Sequence, residues 1–261
     1  MNVFFVLLSA AMVLSANTTF GHESAAVTAD VALEEKLGQT IPDDLVFTDE
    51  FGIRTKLKDC LVKPTIIAPV YLGCTHDCPL LLSSLAQTLG RLELIKPGRD
   101  FTVITLSFDE NDKPDLALER KRTYLKAVAR PFPPETWKFL TGDKANIRKF
   151  TDSIGYKVQQ DGADFSHPIT VVVISPQGKI VRYLEGMRFL PFDVTMAVTE
   201  ASEERVGSPQ RKALTYCFSY DPRKKSYVFN ILKITATVMV LFISSLLVYL
   251  VFTSKKKRET K

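Results

Sequence analysis

The sequence lacks a general excess of charge of either sign. Its formal net charge is +5 over 261 residues, and Lys255–Arg258 together with Lys261 supply five positive charges at the extreme C-terminus, where only Glu259 opposes them. The remaining charges nearly balance. No aromatic residue interleaves with the basic run, so the chain is not expected to bind nucleic acid, which needs a basic surface on the folded domain.

The chain also lacks an internal repeat and the length for two independent cores. Its 261 residues accommodate one well-buried domain with targeting and anchoring segments. Cysteine is scarce, with only Cys60, Cys74, Cys78 and Cys217 present. Four cysteines allow three complete disulfide connectivities, and the sequence does not choose among them.

The N-terminus carries a short apolar run that no Lys or Arg precedes. Val3–Leu14 is followed by small residues around Ser15 and Ala16, which is typical of a secretory signal peptide. A dozen apolar residues are too few to span a bilayer. We predict a signal peptide at 1–21, with cleavage after Ala16 or after Gly21, and a loose lead-in at 22–40.

A longer apolar stretch lies near the C-terminus. Ile234–Phe252 contains no charged residue, and at 1.5 Å per residue it covers about 28 Å, enough to cross a bilayer core. We predict a connector at 206–227, a transmembrane helix at 228–253 and a basic cytoplasmic tail at 254–261. The positive-inside rule then places the globular domain in the periplasm, held by a single span in a bacterial inner membrane.

Between these segments, apolar runs of strand length alternate with helical patterns. The predicted strands are Thr65–Tyr71, Phe101–Phe108, Trp137–Leu140, Ile169–Ile174 and Lys179–Leu184, and the predicted helices run from Pro79 to Gly90, over Pro114–Arg130, after the N-cap Asp143, and from Pro191 to about Arg205. Alternating strands and helices imply a mostly parallel sheet covered on both faces. A turn sequence at Ser175–Gly178 makes the last two strands a hairpin, so the sheet is mixed. We predict an α/β, thioredoxin-like domain at 41–205.

Helical spacing also predicts which faces are buried. Leu118, Leu125 and Val128 share one face of the helix Pro114–Arg130, and its basic residues, Lys121 among them, are expected on the solvated side. Ile147, Phe150 and Ile154 form the apolar stripe of the following helix.

The strongest local signal is the pair Cys74 and Cys78, separated by three residues and followed by Pro79. The motif joins a buried strand to a helix, and a helix N-terminus stabilises thiolate by lowering the pKa of nearby cysteines. Thiolates are soft ligands that favour Cu(I), zinc or iron–sulfur clusters. The motif therefore predicts thiol redox chemistry or metal binding, and an inert structural disulfide is the alternative.

His167 is the third candidate ligand. It immediately precedes the strand Ile169–Ile174, and in a thioredoxin plan that loop faces the cysteine loop. A nitrogen there would complete a site of two sulfurs and one nitrogen that suits both copper oxidation states. A hydrogen-bonded loop histidine without a metal role is the simpler alternative.

Other residues are weaker candidates. His76, between the two cysteines, is an alternative ligand or an exposed loop residue. Asp109 follows a predicted strand and either holds the loops or caps a turn. Cys60 and Cys217 lie outside the motif and would be free to pair with each other.

The sequence resembles the Sco/SenC family over about Ile41–Glu204. The resemblance rests on the C-x-x-x-C-P motif at Cys74–Pro79, on Leu-Thr-Gly at Leu140–Gly142, and on a histidine ahead of Ile-x-Val-x-x-Ile-Ser-Pro-x-Gly-Lys. It implies a thioredoxin-fold copper protein that assists assembly of the binuclear copper centre of cytochrome c oxidase subunit II. Cys74, Cys78 and His167 are then the copper ligands, and the chain is a C-terminally anchored variant.

Two departures from the family pattern support a competing hypothesis. The family usually has Cys-Pro-Asp-x-Cys and Asp-His-Ser, whereas this chain has Thr75-His76-Asp77 between the cysteines and Ser166-His167-Pro168. Pro168 resembles the proline of thioredoxin-like reductases, which is cis and faces the cysteine pair. In a thiol-disulfide oxidoreductase Cys74 would attack and Cys78 would resolve the mixed disulfide. A copper-dependent redox sensor is a third hypothesis, although the tail is too short for a cytoplasmic effector domain.

Overall fold

The protein is described by a computed structural model that covers residues 33–162, 164–206, 218–221, 226–229 and 239–247. The chain forms two compact units, residues 1–206 and 207–261. The predicted signal peptide, Cys217 and the basic tail lie outside the described residues.

The first unit alternates strands and helices as predicted. Its strands are β1 (Val46–Thr48), β2 (Arg54–Lys56), β3 (Thr65–Val70), β4 (Thr102–Ser107), β5 (Trp137–Leu140), β6 (Gln159–Asp161), β7 (Asp164–Ser166), β8 (Thr170–Ile174) and β9 (Ile180–Glu185). Its helices are α1 (Leu57–Cys60), α2 (Asp77–Leu89), α3 (Pro114–Ala127), α4 (Lys144–Ser153) and α5 (Pro191–Ser202), with a 3-10 turn at Pro134–Thr136.

Five strands form the central sheet, in the order β5-β4-β3-β8-β9. Strands β3, β4 and β5 are parallel, whereas β8 is antiparallel to β3 and β9 to β8. Every residue of β3 and β8 is buried, which accounts for their uninterrupted apolar sequences. The predicted mixed, thioredoxin-like sheet and its terminal hairpin are confirmed.

This topology brings two distant loops to the same edge of the sheet. Because β3 and β8 are antiparallel and Thr65 lies opposite Ile174, the end of β3 lies beside the start of β8. The loop after β3 carries Cys74, and the loop before β8 carries His167. Strand pairing therefore positions the predicted site.

The β1–β2 and β6–β7 hairpins were not predicted. Both are short antiparallel pairs outside the central sheet. Residues of the predicted loose lead-in also pair with the domain: the Glu34 N–H donates to the Gly155 carbonyl at 2.9 Å, and the Gly38 N–H donates to the Ile180 carbonyl at 2.8 Å. The folded unit thus includes residues N-terminal to the predicted boundary at 41.

Helix α2 begins two residues before the predicted start. Its first residue is Asp77, so Cys78 lies in the first turn and Pro79 in the third position. Proline fits there because the first N–H groups of a helix need no carbonyl partner within the helix. Asp143 is the N-cap of α4 as predicted, and its Oδ1 accepts a hydrogen bond from the Asn146 N–H at 2.9 Å.

The predicted buried face of α3 was right only in part: Val128, just after the helix, is buried and Leu125 packs against the core, but Leu118 is only half-buried. The buried residues of α3 are Ala117, Lys121 and Tyr124, which recur at helical spacing. Lys121, expected in solvent, is 5% exposed because its Nζ forms an ion pair with Glu50. A basic residue was therefore misassigned to the surface because its partner lies in the β1–β2 hairpin.

The second unit contains a short hairpin of β10 (Phe218–Asp221) and β11 (Ser226–Phe229). Residues 239–247 are helical and fall within the predicted transmembrane segment, most of which lies outside the described residues. No helix in the described part of the chain is both long enough and apolar enough to cross a membrane.

Candidate metal centre

Both motif cysteines are buried at the junction of β3 and α2. Cys74 is 5% and Cys78 3% exposed, and both are free thiols. The Cys74 Sγ accepts a hydrogen bond from the His76 N–H at 3.4 Å. Cys74 and Cys78 therefore do not form the structural disulfide that was the alternative to redox chemistry or metal binding.

Leu72, two residues before Cys74, is held from both sides. Its N–H donates to Asp112 Oδ2 at 2.6 Å, and its carbonyl accepts from Arg120 Nε at 3.0 Å. The Ser107 hydroxyl also donates to Asp112. These contacts fix the start of the cysteine loop to β4 and α3.

Asp112 is the acid that holds this loop, whereas Asp109 takes the second of its two expected roles. Asp109 accepts hydrogen bonds from Asn111 through Oδ1, so it caps a turn. Asp112 is 8% exposed, and this burial raises the pKa of its carboxyl group. The two acids are three positions apart in one polar loop, and nothing in the sequence distinguishes them.

His167 faces Cys78, as the topology predicted. Its Nε2 lies 3.7 Å from the Cys78 Sγ. On the other side of the ring, Nδ1 lies 3.0 Å from the Tyr156 hydroxyl and 2.9 Å from the Pro168 carbonyl oxygen. The imidazole is therefore fixed by one nitrogen and directed at the thiol by the other.

Aromatic rings surround the imidazole. Ring centroids of Phe108, Tyr71 and Tyr156 lie 5.1, 6.0 and 6.3 Å from that of His167, and Phe165 of β7 packs on Tyr71 at 5.0 Å. The Tyr71 hydroxyl donates to Asp164, which ties the β6–β7 hairpin to the cysteine loop. None of these aromatic residues was predicted to belong to the site, because buried aromatic residues occur in any protein core.

The thiol of Cys78 does not have the lowered pKa expected at a helix N-terminus. Burial raises its pKa well above the usual range, and the neighbouring Cys74 raises it further. Desolvation of a thiolate therefore outweighs the favourable helix dipole here. Burial therefore favours the protonated thiol of Cys78, whose Sγ lies within hydrogen-bonding distance of His167 Nε2.

The spacing of Cys78 and His167 fits a shared metal ion. For a first-row metal such as zinc, bonds of about 2.3 Å to sulfur and about 2.0 Å to nitrogen, at angles of about 110 to 120°, separate the two donors by about 3.5 to 3.7 Å. The observed separation is 3.7 Å. Within the described residues no three His, Cys, Asp or Glu side chains already stand as a complete metal-binding group, so Cys74 must turn from its bond to His76 to join.

His76 lies away from this pair. Its side chain is 74% exposed, and its Nδ1 lies 3.8 Å from Asp164 Oδ2 and 3.1 Å from the Thr75 hydroxyl. Cys60, the other described cysteine, is buried at the end of α1, 3.7 Å from the Thr55 hydroxyl. Neither side chain hydrogen-bonds to Cys74, Cys78 or His167, and His76 reaches Cys74 only through its backbone N–H.

The structure has fewer of the features expected of a thiol-disulfide reductase than of a metal site. No described peptide bond is cis, so Pro168 is trans. Cys74, the expected attacking thiol, is 5% exposed, whereas attack on a protein disulfide requires an accessible sulfur.

Solved structures share this fold. A protein of Aquifex aeolicus assigned to electron transfer has 30% identity and a TM-score of 0.58, with 64% of this chain aligned to 95% of that one. Arabidopsis thaliana ScoI with copper bound has 20% identity and a TM-score of 0.50, over 64% and 99% of the two chains. A SCO1/SenC family lipoprotein of Bacillus anthracis has 19% identity and a TM-score of 0.50, over 66% and 98%. At these lower identities the likeness establishes the fold alone.

A match to a protein-family model assigns the chain to a family. A comparison with curated protein sequences finds no match. The model described as SCO1/SenC matches residues 34–201, which includes the β3–α2 junction, the loop before β8 and most of the first unit. The chain therefore belongs to the SCO1/SenC family.

Proposed function

We propose that this protein is a copper metallochaperone of cytochrome c oxidase assembly, in which Cys74, Cys78 and His167 bind one copper ion as cargo. The observation that carries the proposal is the 3.7 Å separation of Cys78 Sγ and His167 Nε2, with the buried Cys74 thiol next to Cys78. Membership of the SCO1/SenC family and the fold shared with a copper-bound relative support copper as the metal.

The donor set explains how copper would be held. Two thiolates suit Cu(I), and the added imidazole suits Cu(II) as well. Binding displaces the proton of Cys78, because a thiol must lose its proton to become a metal ligand. Burial of both sulfurs protects the cargo from water until a partner docks.

The proposed recipient is cytochrome c oxidase subunit II or a similar copper-accepting protein. Reduction of the recipient's cysteines is a further possible step: a recipient disulfide would take two electrons and two protons from Cys74 and Cys78, which would themselves become a disulfide. A thiol-disulfide oxidoreductase without a copper role is the second candidate, favoured only by the proximity of the two free thiols.

We also propose that residues 228–253 anchor the protein in a bacterial inner membrane, with the first unit in the periplasm. The uncharged Ile234–Phe252 and the basic residues after it support this orientation. A reporter fused after Lys261 should be active only in the cytoplasm, and activity of that fusion in the periplasm would overturn the topology.

The copper proposal is tested by titrating the reduced full-length protein in detergent with Cu(I) and with Cu(II). We expect one ion per chain, and thiolate-to-Cu(II) charge-transfer absorption. His167→Ala should weaken Cu(II) binding and change its spectrum while Cu(I) stays on the two thiolates. Cys74→Ser should impair binding of both ions. His76→Ala and Cys60→Ser are matched controls, because neither residue belongs to the proposed ligand set.

The same variants separate the two candidate functions. Disulfide reduction needs an accessible thiolate and a resolving thiol, so His167→Ala should preserve any reductase rate, whereas Cys74→Ser should abolish it. If His167→Ala leaves the Cu(II) affinity and spectrum unchanged, the three-ligand site is wrong and the oxidoreductase becomes the better account.

A further inference from the structure

We propose that Tyr156 is a positioning residue that selects the tautomer of His167, so that Nδ1 carries the proton and Nε2 presents its lone pair to Cys78 and the metal. This inference deepens the proposed copper site and rests on it for its functional meaning. The tautomer itself is a property of the metal-free protein and is testable without copper.

The argument begins with the groups around the Tyr156 hydroxyl. Its oxygen lies near the carbonyl oxygens of Pro168 and Pro69 and 3.0 Å from His167 Nδ1. Both carbonyl oxygens are acceptors only, and the hydroxyl has a single proton. That proton is used on the Pro168 carbonyl, so the hydroxyl oxygen is left to accept a hydrogen bond from Nδ1–H.

The Pro168 carbonyl favours the same tautomer, and one Nδ1–H is shared between this carbonyl and the Tyr156 hydroxyl. His167 Nδ1 lies 2.9 Å from this oxygen. A bare Nδ1 would direct its lone pair at the lone pairs of the carbonyl, whereas Nδ1–H donates to it. In a neutral imidazole only one nitrogen carries a proton. Nε2 is therefore the bare nitrogen, and it is the one that faces the Cys78 Sγ at 3.7 Å.

Tyr156 is itself held rigidly enough to impose this choice. The side chain is 2% exposed, and its ring is stacked on the imidazole with an interplanar angle of 23°. Its backbone N–H donates to the Thr151 carbonyl at 2.8 Å. The preceding Gly155 has φ +63°, and a Cβ there would lie 1.8 Å from the Glu34 carbonyl oxygen.

Partners of this kind are known to matter at metal sites. A hydrogen bond to the non-ligating nitrogen fixes the tautomer and orientation of a metal-binding histidine, and loss of such a partner typically lowers metal affinity about 10- to 100-fold. Tyr156→Phe removes the hydroxyl and keeps the ring, so it should weaken binding of aqueous Cu(II) by about that factor. Tyr183→Phe is the matched control, because its buried hydroxyl donates to the Ile154 carbonyl at 2.8 Å and makes no hydrogen bond to His167.

The decisive measurement is ¹⁵N NMR of the imidazole nitrogens in the metal-free full-length protein at a pH where His167 is neutral. We expect a protonated Nδ1 and a bare Nε2 in the native protein and in Tyr183→Phe, and an increased Nε2–H population in Tyr156→Phe. A native protein with its proton on Nε2 overturns the proposal without any variant. So does a Tyr156→Phe protein whose tautomer and Cu(II) affinity both equal those of Tyr183→Phe.

The two proposals fail in different ways. If His167→Ala leaves Cu(II) binding unchanged while the native imidazole is protonated at Nδ1, the copper site is wrong and the tautomer assignment stands. If His167→Ala abolishes Cu(II) binding while Tyr156→Phe has no effect on tautomer or affinity, the copper site stands and the role of Tyr156 is wrong.

Discussion

Two pairs of polar side chains in the first unit differ in whether each side chain finds its partner within the protein. Glu50 and Lys121 form an ion pair whose side chains are 3% and 6% exposed, and the second carboxylate oxygen of Glu50 accepts from the Phe139 N–H at 3.0 Å. Cys78 and His167, the two proposed metal ligands, face each other at 3.7 Å. In the first pair a positive and a negative charge neutralise each other within the protein, whereas the copper proposal assigns a bound cation to the second pair.

The difference separates polar residues that hold the fold from polar residues that receive a ligand. Glu50 connects the β1–β2 hairpin to both α3 and β5, so its partners are structural elements. His167 contacts Tyr156 and Pro168 through one nitrogen and leaves the other for a ligand. Changes to the first pair should therefore alter stability, and changes to the second should alter metal binding.

The largest expected effect on stability is that of Lys121→Met. It leaves the Glu50 carboxylate buried without its cation, which typically costs about 3 to 5 kcal/mol. Urea unfolding should show this loss, while the Cu(II) affinity of the folded protein stays unchanged. Lys144→Met, which breaks the exposed ion pair with Glu110, is the control and should cost less than about 1 kcal/mol. Equal losses in the two variants would remove the distinction between the pairs.

An intermediate effect should appear in the alkaline pH dependence of stability. Burial raises the pKa of Cys78 above its ordinary value of 9.0 in the folded protein, so above about pH 9 the unfolded chain releases a proton that the folded protein retains. Stability should then fall with rising pH by up to about 1.4 kcal/mol per pH unit from this group alone. Below pH 9 the contribution is fully present.

Comparison of native protein with Cys78→Ser isolates that contribution, because serine does not ionise in this range. Urea unfolding from pH 8 to 10.5 should give a shallower decline for Cys78→Ser, and His76→Ala should match the native slope. Identical slopes for native and Cys78→Ser proteins would mean that Cys78 ionises in the folded state as easily as in the unfolded chain.

The smallest effect on stability is expected at Leu72, where structural contacts hold the start of the loop that carries Cys74. Arg120→Met removes the donor to the Leu72 carbonyl and should cost about 0.5 to 1.5 kcal/mol. Amide hydrogen exchange at Leu72 should become faster, because the loop opens more readily. Arg122→Met changes an exposed arginine of the same helix and should leave that exchange rate unaltered. Unaltered exchange in Arg120→Met as well would show that Asp112 alone holds the loop.

The central sheet and the approach of His167 to the cysteine loop could be predicted because both follow from local patterns. Apolar runs such as Thr65–Val70 identify buried strands, and the order of strands and helices fixes which loops share an edge. The turn at Ser175–Gly178 identified the hairpin, and its Gly178 has φ +83°, a conformation that favours glycine.

The supporting residues could not be predicted because their partners are remote in sequence. Lys121 pairs with a residue 71 positions away, and Asp112 bonds the backbone of a residue 40 positions away. No periodicity in the sequence indicates such a contact, so Lys121 was assigned to solvent and Asp112 was not among the candidates. The pKa of Cys78 was misjudged for a related reason: position at a helix start is visible in sequence, whereas the depth of burial is not.

The close approach at Gly155 limits which sequences this fold can carry. A β-carbon at this position would lie 1.8 Å from the Glu34 carbonyl oxygen, so even alanine would displace the backbone next to Tyr156. The residue takes part in no chemistry and lies in a plain turn after α4. A substitution at Gly155 would nevertheless affect the proposed metal site. It would shift the neighbouring Tyr156, and Tyr156 contacts the His167 imidazole.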